Sequence, residues 1–224
     1  MRLVAIMSYF DEQPAFLSAA VSSMALAEVD HLVAIDGPYA LYPDSMLRSR
    51  SNLEQTAAIL GAAHGIGIGV TIHVPNRPWL GNEIEKRNAL FDISRAALPD
   101  LTSEDWFVIV DSDEYIEKGV GTKAELDQAS EDVGYYQLLE PDGTPNHIRA
   151  LYRWHPDLCL TKTHYGFRHG QEGTLLWDGG GLPAAVLVDI LVLRHMERDS
   201  MSERFRNKWA YYRAREDTQI ERVP

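Results

Sequence analysis

The stretch that decides the fold is Asp105-Trp106-Phe107-Val108-Ile109-Val110-Asp111-Ser112-Asp113-Glu114. Trp106 to Val110 is an unbroken apolar run of β-branched and aromatic types. A run that short, without polar alternation, predicts a strand buried on both faces of a sheet. Its carboxyl end delivers Asp111, Asp113 and Glu114 within four residues. In open α/β sheets, ligands bind at that end of the strands. On an extended backbone, residues 111 and 113 point to the same side. Two carboxylates held that close repel, and a divalent cation that prefers oxygen ligands is the simplest compensation. Acidic residues also follow strands as solvated turn formers, so the tetrapeptide needs support from its surroundings.

Outward from that strand, the pattern alternates. Leu3 to Met7 reads as a first strand, followed by the polar loop Ser8-Tyr9-Phe10-Asp11-Glu12. Residues 14–27 carry Phe16, Leu17, Ala20, Val21 and Met24 at helical spacing. His31 to Ile35 is a second strand, broken by Asp36-Gly37-Pro38, so Asp36 stands at another strand's carboxyl end. Ser51 with Glu54 forms a capping-box pattern for a helix through Leu60. The glycines between Gly61 and Gly69 read as a turn into a strand at Val70 to Val74, and no P-loop signature follows them. A helix opens at about Gly81 and runs to Ala97. Lys86 and Arg87 fall near its first turns, where cations oppose the helix dipole. A bound diphosphate, or pairing with Glu83 or Glu85, would remove that conflict.

Beyond the acidic stretch, Thr122 to Ser130 is helix-like. Gly134 to Leu139 and His147 to Trp154 read as a hairpin around Pro141-Asp142-Gly143-Thr144-Pro145. A polar, glycine-rich segment follows, with His164, His169, Glu172 and Asp178. Such a segment is either a binding loop or an ordinary connection. Val186 to Leu193 is the last strand, ending in Arg194-His195. A helix from about Ser200 to Glu216 carries Met201, Phe205, Trp209 and Tyr212 as expected core contacts. The shift from alternating strand and helix to mostly strand falls near residues 117–134. The expectation is one domain, 1–224, with a nucleotide-sugar half (1–116) and an acceptor half (117–224).

Composition narrows the classes. The chain has 224 residues, a formal net charge of −12 and one cysteine. The acidity disfavours nonspecific nucleic-acid binding, although Arg194 to Arg215 is locally basic. A lone Cys159 excludes a disulfide framework and a cysteine-rich zinc site. Leu3 to Met7 is too short for a signal peptide, and nothing approaches the ~20 apolar residues of a membrane span. The expected location is the cytoplasm.

Several segments in order resemble family 2-like glycosyltransferases of the GT-A fold. The opening strand with Ser-Tyr-Phe-Asp-Glu resembles their start. Glu85-Lys86-Arg87-Asn88 and the stretch from Asp105 to Glu114 resemble the family's "KRN … dW … lDxDE" pattern. Ala150 to Pro156, through His164, is similar to "RLFR…HP…vHe". Leu193-Arg194-His195 with Ser202 to Tyr212 is similar to the closing "HyS … s.e.f..K...Y" segment. The resemblance covers most of the chain. It departs in lacking Pro-Thr-Tyr-Asn in the opening loop, in having Asp36-Gly37-Pro38 for Asp-Asp-Gly-Ser, and in placing Tyr165 where an acid usually follows the histidine.

The resemblance implies an α/β, Rossmann-like GT-A fold. Its central sheet is mixed and mainly parallel, with helices on both faces and a strand-rich acceptor side. It implies a metal-dependent hexosyl transfer from a nucleotide-sugar, expected to be UDP-linked. Asp113 and His195 would hold Mn²⁺ or Mg²⁺, and Asp111 would hold the ribose or the metal's water shell. Ser8, Tyr9 and Asp36 would contact base and ribose, and Lys86 or Arg87 the base or diphosphate. An inverting enzyme also needs a base for the acceptor hydroxyl. Glu172 is the first candidate, with Asp178, His164 and Glu114 behind it. The acceptor, whether protein, glycan, lipid-linked sugar or modified base, is left open. The competing readings are a nucleotidyltransferase, which would want a basic glycine-rich loop after the first strand, a non-catalytic sugar or nucleotide module, and a divalent-metal hydrolase.

Overall fold

The computed structural model describes residues 1–37, 53–76, 79, 83–160, 167–169, 175–177, 186–196, 206–207, 209–211 and 213. Its elements are, in order, β1 (Leu3–Ser8), α1 (Pro14–Ser23), a 3-10 turn (Met24–Ala27), β2 (His31–Ile35), α2 (Leu53–Ile66), β3 (Gly69–His73), α3 (Glu83–Ala97), β4 (Trp106–Ile109), β5 (Glu114–Lys118), α4 (Thr122–Gln128), β6 (Val133–Leu139), β7 (Pro145–Arg153), β8 (Leu158–Leu160), β9 (Phe167–His169), β10 (Leu175–Trp177) and β11 (Val186–His195).

The main sheet runs β3-β2-β1-β4-β7-β6-β11-β5. The β3, β2, β1 and β4 strands are mutually parallel, as are β6 and β11. The β6–β7 hairpin, the β4–β7 pairing and the β11–β5 pairing are antiparallel. This is the expected mixed α/β sheet, compatible with a Rossmann-like GT-A architecture. Strands from both halves of the chain share it, so the compositional shift near residues 117–134 marks a change of topology inside one sheet.

Two cores follow from strand alternation. Leu3, Ala5, Met7, Leu32, Ala34, Trp106 and Val108 face Leu17, Val21 and Met24 of the first helical segment and Ile59 and Ala63 of α2. Val4, Ile6, Val33, Ile35, Phe107 and Ile109 face Leu90 and Phe91 of α3. Phe107 stacks edge-on with Phe91 at 5.6 Å and with Trp154 at 5.4 Å. Every residue of β4 is buried, as the apolar run predicts.

Several expectations are corrected. Residues 61–66 are helical, because α2 continues to Ile66. Only Gly67 turns the chain, at φ +76°. There Gly67 N–H donates to His64 O and Ile68 N–H to Ala63 O, a left-handed helix stop that suits glycine. Residues 111–114 form a turn closed by Glu114 N–H on Asp111 O (3.0 Å), so the strand-alternation argument for Asp111 and Asp113 does not apply. Glu114 opens β5, an edge strand whose polar composition hid it. The glycine-rich segment contains β9 and β10, which form a small separate sheet with β8 in the order β10-β9-β8. Trp209 is 52 % exposed rather than core and Tyr211 is buried, while Met201, Phe205 and Tyr212 lie outside the described residues. Ser51 lies outside the described residues. Among the described residues, no helix is long and apolar enough to cross a membrane.

Asp105, just before β4, is a buried fastener. Its carboxylate accepts from Arg2 N–H (2.7 Å), Thr102 N–H (2.8 Å) and the Arg2 guanidinium (3.1 Å). Burial pushes this carboxyl up, but the bonds from Thr102 and Arg2 outweigh it and hold it below the ordinary aspartate value of 3.8. A carboxyl so depressed contributes stability above its unfolded value and loses it as pH falls through its folded one. Asp105→Asn is expected to lower unfolding stability by about 1–3 kcal/mol at pH 7. The wild-type advantage should shrink below about pH 4, which denaturant melts at several pH values will check.

Candidate active site

The parallel strands β1, β2 and β4 bring their carboxyl ends to one edge of the sheet, and that edge carries the expected site residues. Ser8 ends β1, and Tyr9 follows it, buried, its N–H donating to Ile35 O. Asp36 follows β2 and is 1 % exposed. One of its oxygens accepts from Gly37 N–H (2.6 Å). The other is buried and meets no hydrogen-bond partner among the described residues. The Trp79 indole donates to the Asp36 carbonyl at 3.1 Å. Gly37 has φ +104°, and a Cβ there would meet the Pro75 ring at 2.6 Å, so only glycine fits this turn.

Lys86 and Arg87 lie in the first turn of α3, and both are buried. Lys86 Nζ donates to Tyr9 O (3.0 Å) and Gly37 O (2.7 Å). It therefore ties the loop after β1 to the loop after β2. Arg87 pairs with Asp111 at 3.0 Å. The conflict between these cations and the helix dipole is thus answered within the protein, by carbonyls and a carboxylate.

The acidic turn is held from three sides. Tyr136 of β6 donates its hydroxyl to Ile109 O (2.6 Å), fixing the end of β4. Ser112 donates to the buried Glu12 carboxylate at 3.3 Å, and Gln55 of α2 donates to Glu12 O (2.7 Å). Glu114 is fully buried and accepts from Asp111 N–H at 3.1 Å. Met196 N–H donates to Asp113 O at 2.8 Å, which joins the turn to the end of β11.

His195 sits at that end, in register with Glu114. Its Nε2 lies 3.3 Å from a Glu114 oxygen, and its Nδ1 lies 3.2 Å from a Glu140 oxygen. The Glu114 hydrogen bond outweighs burial. With the charges of Glu114 and Asp113 and the bond to Glu140, it pushes the imidazole up to about 9. Beside His195 opens a cleft of about 480 Å³, lined by Phe16, Ala19, Tyr115, Pro141, Arg194 and Met196.

The structure thus brings Asp111, Asp113, Arg87 and His195 together, with Ser8, Tyr9 and Asp36 on the neighbouring strand ends and Lys86 reaching them from α3. Glu172, Asp178 and His164 lie outside the described residues. Glu12, Trp79 and Glu140 escaped the sequence reading. Glu12 was visible only as part of a polar loop, and Glu140 sits one residue before the hairpin turn, where nothing local marks it. Among the described residues, no three His, Cys, Asp or Glu side chains form a metal cage by themselves.

No family model matches the chain, and no curated protein matches it. Among solved structures, the crystal structure of S. aureus TarS is similar at 17 % identity and a TM-score of 0.44. The match covers 66 % of this chain and 23 % of that one.

The Lys86 tie makes a stability prediction. Lys86→Met would leave two carbonyls without their buried donor, and is expected to lower stability by about 2–4 kcal/mol. Chemical denaturation will measure it, and a loss under about 0.5 kcal/mol, the scale of an ordinary surface change, would show the tie to be idle.

Proposed function

We propose that the chain is a glycosyltransferase of the hexosyl-transferring type, moving a sugar from a nucleotide-sugar to an acceptor hydroxyl. The observation that carries this reading is the meeting of Asp111 and Asp113 with Arg87 and His195 at the carboxyl edge of the sheet. That edge is where open α/β sheets bind ligands.

The base is proposed to sit at Asp36. A buried carboxylate oxygen without a donor is costly, and a ligand N–H that reaches it removes the cost. The imide N–H of uracil supplies such a donor; cytosine has none at that ring position. Lys86 shapes this pocket by holding Tyr9 and Gly37 in place. Asp111, oriented by Arg87, is proposed to meet the ribose.

The donor set suits a hard divalent ion. Mg²⁺ and its like are commonly held by one or two carboxylates plus substrate phosphates, without an all-protein cage. Asp113 and His195, kept side by side through Met196, are the residues proposed to hold Mn²⁺ or Mg²⁺. When bound, the ion would supply Lewis-acid stabilisation of the leaving diphosphate. The acceptor hydroxyl must lose its proton to a base, for which Glu172 is the first candidate, followed by Asp178 and His164. The cleft beside His195 has the volume of a small-molecule site and is the proposed place for the acceptor's attacking portion.

Calorimetric titration of UDP with and without Mn²⁺ tests the reading. UDP is expected to bind the wild type more tightly with Mn²⁺ and more tightly than CDP. Asp113→Ala should lose the metal dependence, and Asp36→Ala should lose the preference over CDP. Absence of binding by UDP, GDP and CDP under every metal condition would sink the glycosyltransferase reading.

A further inference from the structure

The turn after β2 is gripped from outside by an indole. Asp36 donates its N–H to His73 O (3.0 Å), and one of its carboxylate oxygens accepts from Gly37 N–H (2.6 Å). Its carbonyl accepts from Trp79 Nε1–H at 3.1 Å. The other carboxylate oxygen meets no hydrogen-bond partner among the described residues. The Asp36 carbonyl and the Gly37 N–H are the two ends of one planar peptide unit, so they turn together. That turning changes ψ of Asp36 and φ of Gly37, and glycine tolerates a wide range of φ. The plane therefore depends on what grips it. Trp79 holds the oxygen end, and the hydrogen end in turn holds the carboxylate. The indole is itself wedged in place. It packs against the α3-side core that contains Val33 and Ile35, and its ring stands 6.5 Å from that of His73.

We propose that Trp79 is the positioning residue of Asp36. By holding the peptide between residues 36 and 37, it aims the open carboxylate oxygen and so sets the preference for a base with a ring N–H at that place. This rests on the reading of Asp36 as the base contact. Lys86 also reaches this turn, but it spans two loops, through Tyr9 O and Gly37 O. Its loss would disturb both. The Trp79 N–H meets the one peptide whose other end orients the carboxylate. Ribose and diphosphate are assigned to other residues. The effect of Trp79 therefore falls on the choice between bases, and leaves the contacts shared by every nucleoside diphosphate.

The test is calorimetric titration of UDP and CDP into the full chain in one buffer, so that the shared contacts cancel in the affinity ratio. Trp79→Phe keeps an aromatic ring and loses the N–H. Site-specific replacement of Trp79 by benzothienylalanine keeps the bicyclic shape and puts sulfur where the N–H stands, so it removes the hydrogen bond alone. Circular dichroism will check that both fold. In both, the UDP-over-CDP ratio is expected to fall about 3–10-fold, with CDP affinity within about twofold of the wild type. With Asp36→Ala in the background, the same replacements should no longer move the ratio. An unchanged ratio in the benzothienylalanine protein overturns the proposal. An equal loss of UDP and CDP, as a mere structural prop would give, overturns it too, as does an undiminished effect of Trp79 in the absence of the Asp36 carboxylate. A wild type that binds UDP and CDP equally overturns the base reading at Asp36, and the role of Trp79 with it. One that binds no nucleoside diphosphate overturns the glycosyltransferase reading itself.

Discussion

A buried ammonium is expensive unless its hydrogens are taken, and the Lys86 ammonium is taken by the carbonyls of Tyr9 and Gly37. This contact is what gives the sheet edge a shape. The two loops leave adjacent parallel strands and would otherwise be set only by their own backbone preferences. With Lys86 between them, Asp36 is held in its buried turn and Tyr9 is kept under the edge. The next residue, Arg87, performs the complementary service for Asp111. A single stretch of α3 therefore organises the carboxyl ends of three strands, and one turn on from Arg87 the helix packs on Phe107 through Phe91.

Charge is the second constraint. Asp111, Asp113, Glu114 and Glu140 crowd around Arg87 and His195. The negative excess is the physical reason a cationic partner is expected there. It also explains why the neutral hydrogen-bond supports, Tyr136 on Ile109 O and Gln55 on Glu12 O, are buried and short. They hold like charges in place without adding to the charge.

Much of this was legible in the chain. The apolar runs read as β1, β2 and β4 are strands of one sheet, each with neighbours on both faces. Asp36, Asp111, Asp113 and His195 follow strands and Lys86 and Arg87 lie near a helix start, the positions read for them from the sequence. What was not legible depends on tertiary partners. β5 is a short polar edge strand, and its Glu114 is buried opposite His195, a residue some 80 positions later. The glycines at 61 and 65 sit in helix because α2 packs on α1, which outweighs their weak propensity. Lys86 and Arg87 were expected to meet an anion or to pair with Glu83 or Glu85, and their partners include two backbone carbonyls and a carboxylate distant in sequence. Glu140 had no local signature at all, since its meaning comes from a strand that follows it by some 50 residues.

The position of β5 carries a consequence for the order of assembly. Within the main sheet, its one hydrogen-bonded neighbour is β11. As the chain is made, β1 to β4 can pair and bury their cores long before β11 exists. β5 meanwhile lies against α1 and the 3-10 turn. Glu114 and His195 meet only when β11 enters between β6 and β5, closing a loop of some 80 residues. Such long-range closure is slow compared with the local pairings that precede it. The β1–β4 side of the edge can thus be structured during synthesis while the edge remains open at His195. The contact between the acidic turn and β11 is then the last part of this edge to form.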